Sequence, residues 1–274
     1  MKRMLAIVVF AVIICMDNVT LAEFGNYEVH FLSVGQSDCI LIKTDDKNYL
    51  IDTGAAYYTR RIMRYLDLNG VNKIDGIILT HYHDDHYDGI IKIAQSRKVC
   101  KVYLPGHENQ VKNHISDKLN KMGIAVEYIK RNFEIRSHGF RLKAIGPIHE
   151  DKSTENNNSI VLQGKIDGLT YVFPGDCERA EEEDMLKTGE LKKCDVLKVP
   201  HHGLNTSTTD KFLDKTKPRV AIITSDGAGT PDKRVENRLI NSGAIVWRID
   251  NQGNIVVRNG VLYCSKNYTC IELK

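Results

Sequence analysis

The segment Thr80-His81-Tyr82-His83-Asp84-Asp85-His86 directly follows the isoleucine-rich apolar run 74–79, and this juxtaposition constrains the chain more than any other stretch. Such a run reads as a buried strand. The strand then delivers three histidines and two aspartates into a loop at its C-terminal end. In an extended loop, side chains two apart project to the same side, so His81 and His83 can grip one cation while Asp85 and His86 face a second. Imidazole nitrogen combined with carboxylate oxygen suits zinc, manganese or iron better than calcium or magnesium, which prefer oxygen alone.

Two more such positions each follow an apolar strand. They are Asp176, in Tyr171-Val-Phe-Pro-Gly-Asp-Cys177, and the pair His201-His202, in Val196-Leu-Lys-Val-Pro-His-His-Gly203. A carboxylate such as Asp176 can bridge two cations about 3.5–4 Å apart, the separation used in two-metal hydrolysis.

Around these points the chain reads as mixed α and β. Runs 27–33, 39–43 and 49–52 form an opening antiparallel meander. Helical spacing over 59–68 precedes the strand 74–80. Helices 88–95 and 111–122 then alternate with strands 99–104 and 125–129. Strands at 140–145, 159–164 and 169–173 lead to an acidic helix 178–186, and the last third alternates again: strand 196–199, helix 209–215, strand 220–224, helix 232–241, then terminal strands. Two β-rich halves, each carrying helices, predict an α+β fold, an αββα sandwich in one domain.

Lys2 and Arg3 precede an apolar run of about 13 residues ending near Met16, short of the roughly 20 needed to span a bilayer. With Leu21-Ala22 behind it, this reads as a secretory signal peptide (1–22) cleaved after Ala22, leaving a 23–274 domain outside the cytoplasm. Six cysteines then remain, and Cys264 with Cys270 is the expected disulfide, stapling two terminal strands. No C-x-x-C occurs, so cysteine zinc fingers and thioredoxin chemistry lack support. Lys+Arg 38 against Asp+Glu 35 leaves +3, so any nucleic-acid partner must be held at a local site.

The His81–His86 cluster, Leu50-Ile-Asp52-Thr-Gly54, Gly175-Asp176 and His201-His202-Gly203 resemble the metallo-β-lactamase superfamily. Val29-His-Phe-Leu-Ser-Val-Gly-Gln-Ser-Asp-Cys-Ile-Leu-Ile42, Asn156-Asn-Asn-Ser-Ile-Val-Leu162 and the His201-His202 segment are similar to the extracellular hydrolase domain of ComEC-type DNA-uptake proteins. The resemblance implies two divalent metal ions, zinc with manganese as the alternative. His81 and His83 would hold one and Asp85 and His86 the other, with Asp176 bridging. One histidine of the His201-His202 pair would complete the second; which one stays open. Asp52 would stand at the mouth of the site, orienting a ligand, and Asp85 and Asp52 are the candidate catalytic residues. Asn156, Asn157 and Asn158 occupy the place where many members carry a further histidine, so the first metal is expected to have fewer protein ligands.

The implied function is a secreted, metal-dependent phosphodiesterase or nuclease acting on a phosphodiester substrate. The alternatives are a cell-surface phosphorylcholine esterase and a metal-binding module without turnover. The esterase reading rests on similarity of the opening and of Thr224-Ser225-Asp226 to pneumococcal-type teichoic acid phosphorylcholine esterases. It needs an aromatic cage for a quaternary ammonium, for which Tyr57, Tyr58, Tyr82 and Trp247 are the candidates. Lys198 and Lys211 are the nearest basic candidates for phosphate, and residues 181–184 read as a solvated acidic face. His30 reads as structural, and His107, His114 and His138 as surface side chains.

Overall fold

The computed structural model describes residues 27–266 and 269–274, so the leader-like segment and its cleavage position lie outside the described residues. Among these, two large sheets face each other. The first has nine strands in the spatial order Cys270–Glu272, Val261–Cys264, Ile255–Arg258, Glu28–Phe31, Ile40–Lys43, Asn48–Ile51, Gly76–Ile78, Lys101–Pro105 and Ala125–Ile129. It is antiparallel as far as Asn48–Ile51 and parallel beyond. The second has seven, in the order Ile245–Arg248, Val220–Ile223, Val196–Lys198, Leu169–Phe173, Val161–Ile166, Phe140–Gly146 and Glu134–Ser137, with the first four parallel. Parallel neighbours require crossovers. The helices Thr59–Leu68, Ile90–Ser96 and Gln110–Lys121 supply them in the first half, and Arg179–Thr188, Asp210–Thr216 and Lys233–Asn241 in the second.

Period-two alternation sets the layers. Val29, Phe31, Ile40, Ile42, Tyr49 and Ile51 point inward and meet Leu162, Tyr171, Phe173, Val196 and Ile222 of the opposite sheet. Leu41, Leu50 and Ile77, from the alternate positions, pack on Ile62, Leu66, Ile93 and Ile115 of the outer helices. On the far side, Val172, Leu197 and Ala221 pack on Met185, Phe212, Val235 and Leu239. Helix, sheet, sheet and helix are thus stacked as an αββα sandwich, the architecture expected from the sequence.

Several local expectations change. The run read as one strand over 74–80 is divided. Lys73–Ile74 pairs with Lys98–Val99 in a small separate ladder, and Gly76–Ile78 joins the main sheet. Gly76 allows this because a Cβ there would stand 3.0 Å from the Tyr103 ring and 3.1 Å from that of Tyr49. Glu134–Ser137 is an additional strand, hairpinned onto Phe140–Gly146 through Gly139.

The expected Cys264–Cys270 staple is absent, and the six described cysteines are all free. Pairing places Cys270 opposite Tyr263, not Cys264. Neighbours along a strand face opposite sides. Accordingly Cys264 enters the core while Cys270 is exposed.

Nor are residues 181–184 uniformly solvated, since Glu181 and Glu182 are buried. Glu181 accepts from the Ile148 amide at 3.0 Å, and Glu182 from Thr209 N at 2.9 Å and Thr209 Oγ1 at 2.7 Å. They cap loop amides that would otherwise be orphaned.

Candidate metal centre

The residues singled out from the sequence lie just beyond the C-terminal ends of strands from both sheets. Asp52 follows Asn48–Ile51, and the 81–86 segment follows the adjacent parallel strand Gly76–Ile78. His81–His83 is loop, whereas Asp85 and His86 belong to a single helical turn, Asp84–Tyr87. From the second sheet, Asp176 follows Leu169–Phe173, and the two histidines follow Val196–Lys198.

Asp85, His86, Asp176 and His202 form one group whose candidate ligand atoms all lie within 4.8 Å of one another. Asp176 Oδ2 stands 3.2 Å from His86 Nε2 and 3.2 Å from His202 Nε2. Asp85 Oδ2 is 3.2 Å from His202 Nε2 and 3.8 Å from His86 Nε2. The opposite ring nitrogens are already engaged. His86 Nδ1 lies 2.8 Å from Asp52 Oδ2, and His202 Nδ1 lies 2.9 Å from the Thr224 carbonyl oxygen. With the proton held at Nδ1 in both neutral rings, each Nε2 presents its lone pair to the shared space.

Both Nε2 atoms are buried with no hydrogen-bond partner, an arrangement that is costly unless something else occupies that space. Two orphaned imidazole nitrogens converging on two carboxylates are a donor set that fits a divalent cation of the zinc or manganese type.

Charge balance points the same way. Burial opposes protonation of His86, but the Asp176 and Asp52 carboxylates outweigh it and hold its pKa well above the usual histidine range. His202 is likewise pushed up to about 9, with Asp176 and Asp85 overcoming burial. Burial resists ionisation of Asp176, yet His202, His86 and Lys198 hold it well below the usual carboxylate range. Without a cation, protons on the imidazoles balance these carboxylates; a bound cation would take their place and leave the rings neutral.

His81 and His83 lie beside this group, His81 fully buried and His83 partly exposed. His81 Nε2 lies 3.1 Å from His83 Nδ1, and the His81 and His86 ring centroids are 4.2 Å apart. Burial and the neighbouring His86 depress the His81 pKa well below its ordinary value, keeping the ring neutral as a ligand must be. His201 turns away. Its Nδ1 lies 2.7 Å from Thr206 Oγ1 and 3.2 Å from Glu178 Oε1, and its Nε2 is 3.4 Å from Asn156 Nδ2. The two histidines part because His201 (φ 48°), His202 (φ 53°) and Gly203 (φ 80°) are three successive left-handed residues. That conformation costs about 1–2 kcal/mol at each non-glycine position.

Asp52 is fully buried beneath the cluster rather than at its mouth. Its carboxylate accepts from Thr80 N at 2.8 Å, Thr80 Oγ1 at 2.8 Å and His86, leaving nothing to offer a substrate. It is a positioning residue, itself left-handed at φ 59°.

Sequence reasoning passed over Asp38 and misplaced Lys198. Lys198 is 1% exposed and is no phosphate contact. Its ammonium lies 2.6 Å from Asp38 Oδ2 and 3.2 Å from Asp176 Oδ1, and it donates to the Gly175 carbonyl at 3.0 Å. A lysine inside the apolar run Val196-Leu-Lys-Val199 was the available signal, because a buried lysine must find a carboxylate. Asp38 belongs to a turn that also buttresses Asp85, whose carbonyl accepts from Ser37 Oγ at 2.5 Å and Asp38 N at 3.2 Å.

Other expectations also change. Tyr82 is 4% exposed and donates to the Pro105 carbonyl, and Trp247 is 5% exposed between the sheets, so neither helps form a cage at the site. His107 is no surface residue but pairs with Glu155 at 3.0 Å. His30 is held between Tyr65 and Glu28, a structural role. His149 is exposed and takes no part in the cluster.

An αββα sandwich whose histidine and aspartate cluster forms where strand ends of both sheets meet defines a class of dinuclear metal-site proteins. The chain belongs to the metallo-β-lactamase superfamily, whose family model matches residues 32–225. It is 27% identical over 254 residues to ComE operon protein 3 of Bacillus subtilis, covering 84% of this chain and 33% of that protein. It is also 27% identical over 204 residues to Recombination protein 2 of Haemophilus influenzae, covering 73% of this chain and 24% of the relative. The chain therefore spans about a third or less of these curated relatives. Among solved structures, the metallo-β-lactamase fold protein YhfI of Bacillus subtilis superposes with a TM-score of 0.60 at 14% identity, covering 85% of this chain and all of that one.

Proposed function

We propose that this protein is an exported metal-dependent phosphodiesterase with a dinuclear centre, zinc being the metal and manganese the alternative to test. The carrying observation is the convergence of His86 Nε2 and His202 Nε2 on Asp176 Oδ2 beside Asp85. Asp85, His86, Asp176 and His202 would hold one cation, and His81 and His83, with Asp176 bridging, the other. Cations held there would supply Lewis acidity toward a phosphoryl oxygen and lower the pKa of a water nucleophile.

The chain's own residues do the rest. Asp52 and Thr224 fix the two imidazoles in the tautomer that leaves Nε2 free. Lys198 occupies Asp176 Oδ1, leaving Oδ2 for the cluster. Asp85, only partly buried, stands on the open side, where a scissile ester can approach. Similarity to proteins named for competence and recombination supports a nucleic-acid phosphodiester, and the burial of Tyr82 and Trp247 removes half of the aromatic cage that the phosphorylcholine alternative needs. The leader-like segment 1–22 supports export.

The test is metal analysis combined with hydrolysis of bis-p-nitrophenyl phosphate and linear DNA by wild type, Asp85→Ala, His202→Ala and His201→Ala. Two cation equivalents are expected in wild type, with turnover lost in the Asp85 and His202 variants and the second equivalent retained by His201→Ala. Full metal loading with no turnover of either substrate refutes the proposal.

A further inference from the structure

Arg60 and Arg64 are the exception among the arginines of the described residues. Each of the others reaches a carboxylate or a carbonyl: Arg61 the Ser33 carbonyl, Arg97 Asp67, Arg131 Glu190, Arg136 and Arg141 Glu134, Arg179 the Asn205 carbonyl, Arg219 Asp195, Arg234 Asp232, Arg238 the Thr208 carbonyl, Arg248 Glu236 and Arg258 Glu28. Arg60 and Arg64 are both exposed and lie one turn apart on the helix Thr59–Leu68, with no acceptor for either among the described residues. Like charges at this spacing destabilise a helix. The helix buries Thr59, Ile62 and Leu66 on its other side, so packing does not require the two arginines.

The segment just before this helix borders the metal centre, since Ser37 Oγ accepts from the Ala55 amide at 2.8 Å and donates to the Asp85 carbonyl at 2.5 Å. Tyr57, just before the helix, is 75% exposed, an unusual position for so large an apolar ring. Tyr57 stands two residues after Ala55, whose amide donates to Ser37 Oγ at 2.8 Å, and four after Thr53, whose amide donates to the His86 carbonyl at 2.7 Å, so it is carried by the stretch of chain that borders the cluster. Its ring centroid is 4.4 Å from that of Tyr58, and the Arg61 guanidinium lies 5.2 Å from the Tyr58 ring. Beyond it, Arg61, Arg64 and Leu68 close a pocket of about 130 Å³ with Ser33, Val34 and Asn254. The turn 33–38 links the two regions, since the Ser33 carbonyl holds Arg61 and Ser37 Oγ holds the Asp85 carbonyl.

We propose that Tyr57 and the Arg60–Arg64 ridge form a tract that holds a single-stranded polynucleotide as it leads into the metal centre. This rests on the phosphodiesterase reading and deepens it, naming a polymeric substrate and the path it takes. Unpaired guanidiniums suit successive phosphates, and an exposed ring offers a stacking platform that every base can use. The guanidiniums take the phosphates, and the uncharged ring takes the base. A near-neutral chain, +3 overall, needs such a local concentration of charge to hold a polyanion. A phosphodiester polymer without bases would leave Tyr57 idle.

The test is fluorescence anisotropy with a labelled, phosphorothioate-linked oligothymidine that resists hydrolysis, and inorganic polyphosphate as a competitor without bases. Metal-loaded wild type, R60Q/R64Q and Y57A are compared, with melting temperature and metal content controlling for fold. R60Q/R64Q is expected to weaken oligothymidine binding about tenfold and to reduce the slope of log K against log salt by about 1.4, the share of two phosphates on a single strand. Y57A is expected to weaken oligothymidine about tenfold while leaving polyphosphate competition as in wild type. An unchanged affinity and salt slope in R60Q/R64Q overturns the tract, and equal losses on both polymers in Y57A overturn the polynucleotide assignment. Binding is read without turnover, so a chain inactive on bis-p-nitrophenyl phosphate would remove the phosphodiesterase reading while leaving the tract to stand or fall by itself.

Discussion

Lys198 Nζ lies 2.6 Å from Asp38 Oδ2, with both side chains sealed from solvent directly beneath Asp176. The ammonium donates to three acceptors, Asp38, Asp176 Oδ1 and the Gly175 carbonyl, and so has no hydrogen left to share. Removing one partner of such a buried pair typically costs about 3–5 kcal/mol, because the other charge is left uncompensated. Lys198→Met is expected to lose stability on that scale in urea unfolding. The double variant with Asp38→Asn should recover part of the loss. A loss in the double variant equal to the sum of the Lys198→Met and Asp38→Asn losses measured singly would show that the pair is uncoupled.

Asp52→Asn tests the support beneath His86. The amide has one acceptor oxygen where the carboxylate serves Thr80 N, Thr80 Oγ1 and His86 Nδ1. Loss of such outer partners commonly weakens metal binding about 10–100-fold. That loss is expected in a metal titration, with the far-UV circular dichroism of the wild type retained.

Glu181 gives the fold a pH dependence away from the metal centre. Burial pushes its pKa up to about 8, from an ordinary value of 4.5. Between those values the native state keeps a proton that the unfolded chain has released, so stability falls as pH rises through the interval. Glu181→Gln stays neutral throughout. The gap between variant and wild type in urea midpoints should therefore move in favour of the variant from pH 5 to pH 8.

Thiol chemistry separates the cysteines into two sets. Cys100 and Cys270 are exposed, whereas Cys39, Cys177, Cys194 and Cys264 are buried. A maleimide reagent should label the first pair in the native protein and the other four only in denaturant. Protection of Cys270 together with Cys264 would revive the terminal staple.

The layered fold was legible because two β-rich halves each carry helices, and apolar runs such as Ile40-Leu41-Ile42 suit strands covered on both faces, Ile40 and Ile42 on one side and Leu41 on the other. The clustered donors were legible because His81, His83, Asp85 and His86 are contiguous and Asp176 and His202 each follow an apolar strand. What stayed hidden depended on direction rather than identity. Which of two adjacent histidines faces Asp176 is decided by consecutive left-handed dihedrals, which no residue pattern reports. Cys264 and Cys270 looked adjacent in sequence, but the register of one strand pair sent them to opposite faces. The burial of Glu181, Glu182 and Lys198 likewise depends on loops from distant parts of the chain.

Asp52 and residues 81–86 come from the first sheet, whereas Asp176 and His202 come from the second, ninety or more positions later. A cation held among them would act as a clasp across the seam of the sandwich. Neither half alone can assemble the centre, so metal uptake would report that both have folded and docked. Loading would also be felt globally, since any ligand bound only by the closed form raises the free energy of opening it. A fragment ending before Asp176 would carry the most conspicuous motif in the sequence and still lack the carboxylate on which both halves converge.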